Sequence, residues 1–390
     1  MKLLENLDQL NNKIVLLRLD LNIPIYNSSI TDTNRIDKII PTINFLIKKK
    51  AKIVIISHIG RPKGKIEDEL SMEPVKKYLK KKINQNLMLI KKNIYELSKV
   101  NIFKDNNCRI VILENIRFYS EEEKNDTKFA KHLATLGDIY VNDAFSCSHR
   151  EHASICGITK YLPVYSGIQM QKEIYALKKI TSEIKKPITC IIGGSKISTK
   201  INIIKNLIKK FDYIIIVGAM ANNIFKFKGL KIGCSIAEEN SGKIIAEIFN
   251  EAKKNNCNIY YPTDIKVGKF LKDNSQEKFF DQIDEDDYIL DLGNNSIKQI
   301  KKIIDKSETI LWNGPAGYFE NSEFSNGSKE IAKYIASKQG NIYSVVGGGD
   351  TVSIINSLNL INCFNFVSTA GGAFLEYLEG KNLPGIKALN

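Results

Sequence analysis

Short runs of Ile, Val and Leu punctuate the chain at residues 14–19, 53–56, 110–113, 139–141, 188–192, 213–217, 289–292, 310–312 and 342–346. Most are continuous rather than alternating, the pattern of strands buried on both faces of a parallel sheet. Stretches with lysine on one face lie between them and predict helices over 35–49, 127–136, 198–210 and 328–339. Strand–helix alternation predicts βαβ units. There are too many strands for one sheet, so the fold expected is α/β, with two doubly wound parallel-sheet (Rossmann-like) domains. An amphipathic segment opening at Met170 and ending before Pro187 predicts a hinge helix near 165–185. Pro384-Gly385 is expected to close a final helix and leave a short tail. No repeat or low-complexity linker interrupts this pattern.

Composition changes the picture little. A chain of 390 residues holds two or three domains. The net charge of +14 is lysine-driven, and the lysines run along helix faces, as at Lys48-Lys49-Lys50 and Lys80-Lys81-Lys82. Such runs read as solvated surface. No stretch interleaves basic residues with exposed aromatics, so nucleic-acid binding is not expected. Seven scattered cysteines without a C-x-x-C suggest buried, reduced thiols and no zinc site. The N-terminus turns charged too early for a signal peptide, and no apolar run reaches membrane-helix length. A cytoplasmic protein without membrane association is expected.

The informative residues follow the carboxyl ends of the predicted strands, where open parallel sheets bind ligands. In the first half these are Asp20 and Asn22, then Ser57-His58-Ile59-Gly60-Arg61, then Glu114-Asn115-Ile116-Arg117, then Asn142-Asp143 leading to His149 and Arg150. Arg35 opens the helix after the first loop. Convergent arginines suit carboxylate and phosphate oxygens, whereas one arginine alone reads equally as a local salt bridge. His132 reads as a satisfied helix residue, and His149 and His152 as substrate ligands or loop braces. In the second half the strand ends are glycine-rich: Gly193-Gly194-Ser195-Lys196, Gly218-Ala219, Asn313-Gly314-Pro315, Gly347-Gly348-Gly349-Asp350-Thr351 and Ala370-Gly371-Gly372. Glycines let amide groups approach oxyanions. Asp350 heading such a loop reads as a magnesium ligand beside phosphates, or else as a helix N-cap. Neither the P-loop nor the dinucleotide fingerprint is present, and no Ser-His-Asp order appears.

Together these segments resemble phosphoglycerate kinases from Arg18 to Gly385, through RLDLNIP, SHIGRP, ENIRF, NDAFSCSHREHAS, GGSKISTK, WNGPAGYFE, GGGDT and STAGGAFLEYLEG. The resemblance implies reversible phosphoryl transfer between 1,3-bisphosphoglycerate and ADP, giving 3-phosphoglycerate and ATP with Mg2+. It implies that Asp20, Asn22, Arg35, His58, Gly60, Arg61, Arg117 and Arg150 hold the phosphoglycerate. Gly194, Lys200, Asn313, Glu320, Gly348, Gly349, Asp350 and Thr351 would hold the nucleotide, with Glu320 on the ribose and Asp350 on magnesium. Arg35, Lys196, Gly371 and Gly372 would stabilise the group in flight. It further implies a monomer that closes about its hinge, with a phosphoglycerate domain over 1–168, a nucleotide domain over 169–370 and a returning segment over 371–390. Ala219, Asn223, Ala370 and Ser146 depart from the family's usual residues, three of them from glycines, which bears on fine geometry. A non-catalytic nucleotide- or anion-binding relative is the alternative, and it would be expected to lose Lys196, Asp350 or Arg35; all three are present.

Overall fold

The computed structural model describes residues 1–26, 29–103, 108–269 and 275–390. The chain divides into two compact units, one of Met1–Tyr175 with Asn382–Asn390 and one of Ala176–Lys381. Unit one contains β1 (Ile14–Leu19), β2 (Ile25–Tyr26), β3 (Ser29–Ile30), α1 (Asn34–Lys48), β4 (Lys52–Ile56), α2 (Glu73–Ile83), β5 (Leu87–Ile90) and β6 (Ile110–Leu113). It continues through α3 (Ser120–Glu123), α4 (Thr127–Thr135), β7 (Ile139–Asp143), β8 (Val164–Ser166) and the first part of α5 (Ile168–Thr181). Its six-stranded sheet has the order β5-β6-β4-β1-β7-β8, and every pair is parallel.

The continuous apolar runs explain this sheet. In β1, Val15, Leu17 and Leu19 join one core with Ile53 and Ile55, while Ile14 and Leu16 join another with Val54 and Ile56. Successive side chains point to opposite faces, so a strand covered on both sides must be apolar throughout. Arg18 interrupts the run and is nonetheless fully buried. The chain leaves β1 towards β4 on one side and returns to β7 on the other. The order therefore reverses at β1, the position that opens a crevice at the strand ends.

Unit two contains β9 (Ile188–Ile192), α6 (Ile201–Ile208), β10 (Tyr213–Ile216), α7 (Ala219–Phe227), α8 (Gly242–Lys254), β11 (Asn258–Tyr260), β12 (Ile265–Gly268), β13 (Gln276–Lys278) and β14 (Tyr288–Leu292). There follow α9 (Asn294–Asp305), β15 (Thr309–Asn313), α10 (Asn326–Ser337), β16 (Tyr343–Gly347), α11 (Gly349–Ser357), β17 (Phe366–Val367) and α12 (Gly372–Leu378). The parallel sheet runs β11-β10-β9-β15-β16-β17, and its order reverses between β9 and β15. The run at 289–292 is a strand, as its pattern predicts, but it belongs to a separate antiparallel sheet, β13-β12-β14. Its residues Tyr288, Ile289 and Leu290 are only partly buried, the mark of a sheet with one solvated face.

Three further expectations are corrected. Pro384 opens a short helix, α13 (Pro384–Lys387), at its first turn, where a missing N–H leaves no bond unmade. Lys200 is the N-cap residue of α6 and lies just outside that helix. Cys234 is exposed and Cys156 and Cys363 are only partly buried, although all seven cysteines are free. The unit boundaries fall at Tyr175/Ala176, inside α5, and at Lys381/Asn382, compared with 168/169 and 370/371 read from the sequence. The last difference arises because α12 packs on α6, where Asn206 Nδ2 donates to Leu378 O at 2.6 Å. Only the tail beyond it joins unit one, with Gly385 N donating to Ser148 O at 2.8 Å. No helix among the described residues is long and apolar enough to cross a membrane.

Candidate functional site

In unit one the loops after β1, β4 and β7 meet around Asp20. Arg35 Nη1 bridges the Asp20 carboxylate at 3.0 Å and Asn22 O at 2.9 Å. Asn22 Oδ1 accepts from Gly60 N at 2.9 Å, and Arg117 Nη1 donates to Gly60 O at 2.8 Å. The Ser146 hydroxyl donates to Asp20 Oδ2. Arg150 is half-buried and donates through Nε to His149 Nε2 at 3.1 Å. Arg61 is exposed and, among the described residues, makes no hydrogen bond to this group. Asp20, Asn22, Arg35, His58, Gly60 and Arg117 are thus brought together, with Arg150 at their margin through its field on His152.

Arg18 lies beneath them. Its Nη2 stands 3.3 Å from His58 Nδ1 and its Nε donates to Ser154 Oγ at 2.9 Å. Ser154 gives its hydroxyl and its amide to the two oxygens of Glu122, at 2.6 and 2.8 Å, and both Arg18 and Glu122 are fully buried. A guanidinium has only donors, so His58 Nδ1 accepts and the ring proton sits on Nε2. Burial, with Arg18 and Arg117 adding to it, holds His58 well below the usual histidine range. Burial and the same arginines push His152 down to about 3. Both rings are neutral at physiological pH. Asp20, His58 and Cys147 offer metal-ligating atoms close together, but Arg18 Nη2 also lies 3.7 Å from Cys147 Sγ, and its charge opposes a cation there. Neither Arg18 nor Glu122 was singled out from the sequence. A charged residue inside an apolar strand run was the available signal for the first, while Glu122 sits in an ordinary acidic helix start.

In unit two the loops after β9 and β15 touch. A Cβ on Gly193 would lie 2.1 Å from Pro315 O, and one on Gly314 (φ 99°) 2.2 Å from Gly193 O. Only glycine permits this approach. Gly193 N donates to Asn313 O at 2.9 Å, and Lys200 Nζ donates to Gly193 O at 2.6 Å and to Asn313 Oδ1 at 2.9 Å. Burial lowers the Lys200 pKa, partly opposed by Cys190 and Asp350. Thr351 Oγ1 accepts from Gly314 N at 2.7 Å, and Gly348 packs against Asn313. Gly348 is the N-cap of α11, so Asp350 stands in its first turn, exposed, and is not the cap.

A cavity of about 640 Å³ opens beside these loops. Gly194, Glu320 and Asp350 line it, together with an apolar wall that includes Phe225, Ile236 and Ile265. The volume and mixed lining suit a ligand with one flat apolar part and one anionic part. Lys196 is exposed on the loop two residues beyond Gly194. Gly349, Gly371 and Gly372 are exposed, and a Cβ on Gly349 or Gly371 would meet open space. No hydrogen bond among the described residues links Gly371 or Gly372 to the cavity. The apolar wall, which the sequence pattern did not reveal, comes from α7, the segment that follows it and the antiparallel sheet.

Asp291, also on this wall, is buried, and its Oδ2 accepts from Gly327 N at 2.8 Å. Burial pushes its carboxyl up to about 7, against the pull of the Gly327, Leu292 and Asn326 amides. A folded pKa above the unfolded value gives stability that is complete below about pH 4 and lost as pH rises towards 7. Asp291→Asn keeps an acceptor and removes the ionisation. It should raise the free energy of unfolding relative to the parent more at pH 8 than at pH 5, by on the order of a few kcal/mol at most. Equal loss at both pH values would show that the carboxylate is needed as a cap.

Comparison with known proteins agrees across both units. A family model for phosphoglycerate kinase matches residues 4–381. The phosphoglycerate kinase of Orientia tsutsugamushi is 45% identical over 383 residues, 97% of this chain and 94% of the relative. That of Chelativorans sp. is 41% identical over 392 residues, 100% and 98% of the two chains. The solved structure of phosphoglycerate kinase from Coxiella burnetii aligns with a TM-score of 0.91 at 38% identity, covering 99% of this chain and 98% of its own.

Proposed function

The chain belongs to the phosphoglycerate kinase family and carries that activity, and we propose how its residues divide the work. The acceptor is the carboxylate of 3-phosphoglycerate. It forms a bond to the γ-phosphorus of ATP as the bond to the β-phosphate oxygen breaks, leaving 1,3-bisphosphoglycerate and ADP, and the step runs in both directions. A carboxylate is already a nucleophile, so the site needs positioning and charge neutralisation rather than a base. A neutral His58 fits that demand.

Unit one holds the phosphoglycerate through Asp20, Asn22, Arg35, Gly60, Arg61, Arg117 and Arg150, with His58 donating from Nε2. Unit two holds the nucleotide. Glu320 takes the ribose, while Gly194, Lys200, Asn313, Gly348, Gly349 and Thr351 frame the phosphates. Arg35, Lys196 and the Gly371 and Gly372 amides face the transferring phosphoryl group. Magnesium fits this donor set, because Asp350 presents one exposed carboxylate that caps no helix, and magnesium binds through one or two carboxylates plus phosphates. When bound with the nucleotide it neutralises phosphate charge. The observation that carries this reading is the cavity that joins Gly194, Glu320 and Asp350 to an apolar wall.

A monomer in the cytoplasm, without nucleic acid, completes the proposal. Surface lysines such as Lys82 with Asp37 and Lys338 with Asp305 are paired with nearby acids, which supports solvated surface over a polyanion track. Steep salt-sensitive RNA binding would contradict this.

The primary test is a coupled assay with 3-phosphoglycerate, ATP and Mg2+, in which folded protein without turnover overturns the reading. Arg61→Ala should raise the KM for 3-phosphoglycerate by ten- to a hundred-fold, since one charge-assisted bond is worth about 1.5–3 kcal/mol. The KM for ATP should stay unchanged; a parallel rise would remove Arg61 from the phosphoglycerate half.

A further inference from the structure

Lys196 stands on an exposed loop between β9 and α6, and a flexible ammonium there gains little unless the loop is fixed. The loop is held from outside. Glu238, in the segment between α7 and α8, accepts from Ile197 N at 2.7 Å and Ser198 N at 3.0 Å, and the Ser198 hydroxyl donates to its other oxygen. The Glu238 carboxylate is thus filled by three donors from the two residues that follow Lys196. Burial alone would raise its pKa, but the Ser198 hydroxyl, these amides and the Lys196 charge together hold it low.

Glu238 is itself fixed. Its backbone N donates to Asn223 Oδ1 at 2.7 Å, and Asn223 is fully buried on α7. Asn223 Nδ2 returns to Met220 O at 3.2 Å, and Met220 N donates to Gly194 O at 2.8 Å. The path runs from α7 through Asn223 and Glu238 to the residues after Lys196, and through Met220 to the glycine before it. Asn223 is a buried polar side chain, and the hydrogen bond to Glu238 gives it a role.

We propose that Glu238, braced by Asn223, is a positioning residue that latches the Ile197–Ser198 backbone and so presents the Lys196 ammonium to the transferring phosphoryl group. The proposal rests on the assignment of Lys196 above. Glu238 is not among the residues that line the cavity, and its effect is on the geometry of a cation whose placement must be accurate to a fraction of an ångström.

The test is a double-substitution cycle on the full chain, with kcat and the dissociation constant for ATP measured for Glu238→Ala, Lys196→Ala and the pair. Glu238→Ala should lower kcat by about ten-fold, as expected for a misplaced catalytic group. It should leave the ATP constant within about two-fold, because the phosphate frame is untouched. In the Lys196→Ala background the same change should add less than about two-fold, the signature of two residues acting as one unit. Glu238→Gln, which keeps one acceptor but turns an amide donor towards the Ser198 group, should fall between parent and alanine variant. Hydrogen exchange supplies an independent readout: the Ile197 and Ser198 amides should exchange at least about ten-fold faster in Glu238→Ala. Unchanged exchange overturns the latch whatever the kinetics show. Multiplying kinetic effects overturn the link to Lys196. A fully active Lys196→Ala overturns the Lys196 assignment, and with it the catalytic purpose of the latch, while the exchange result still reports the latch itself.

Discussion

Asp350→Ala is expected to lower kcat by about 10²–10³-fold, the usual effect of removing one group that stabilises transferring charge. Its position explains why the loss should be confined to the nucleotide side. Asp350 lies in the first turn of α11, exposed, with Gly348 as the N-cap, so it is free of a structural duty at that helix end. Thermal stability should therefore change by no more than about 0.5 kcal/mol. Phosphoglycerate affinity should hold, because every residue proposed for that ligand lies in the other unit. The magnesium concentration for half-maximal rate should rise in Asp350→Asn, which keeps an oxygen and loses the charge. If phosphoglycerate and nucleotide binding fall together with stability, Asp350 is a structural residue and the magnesium assignment fails.

The parallel cores were legible because double-sided burial forces a continuous apolar run, and β1, β6 and β9 begin and end where their runs do. The glycine-rich loops of unit two were legible for a related reason. Tight approach of backbone to backbone at Gly193 and Gly314 demands glycine, and glycine clusters stand out. The antiparallel sheet was not legible. β12 and β13 are short, and Gln276–Lys278 has no apolar residue at all, so backbone pairing alone defines it. The apolar wall of the cavity depends on that sheet and was hidden with it. The small strands β8, β11 and β17 also escaped notice, being two or three residues at or near sheet edges.

Single positions were not legible where a neighbour distant in sequence sets the environment. Glu238 looks like any surface acid until Ile197 and Ser198 meet it. Asn223 was expected to bear only on fine geometry, and its side chain bonds to Glu238 and Met220. Ser146 adds a hydroxyl that bonds to Asp20 and so joins the polar group at the strand ends of unit one.

Arg18→Met should destabilise unit one by about 3–5 kcal/mol, the loss expected when one partner of a buried charge pair is removed. Arg18 and Glu122 share Ser154, and neither is exposed to water. Burial already raises the Glu122 pKa, against the Arg18 charge and the Ser154 bonds. Without the guanidinium that rise grows, and the sign of the pH dependence follows. A carboxyl raised in the folded state gives stability at low pH that is lost as pH increases. The deficit of Arg18→Met should therefore be larger at pH 8 than at pH 5, and adding Glu122→Gln should recover much of it, since the stranded charge is gone. A deficit equal at both pH values and untouched by Glu122→Gln would mean that lost packing dominates. The kinetic consequence is separate: His58 Nδ1 loses its donor, the proton is free to sit on either nitrogen, and Nε2 is a donor only part of the time. In the stabilised double variant the KM for 3-phosphoglycerate should stay raised while that for ATP is normal, because restoring charge balance does not restore the histidine tautomer.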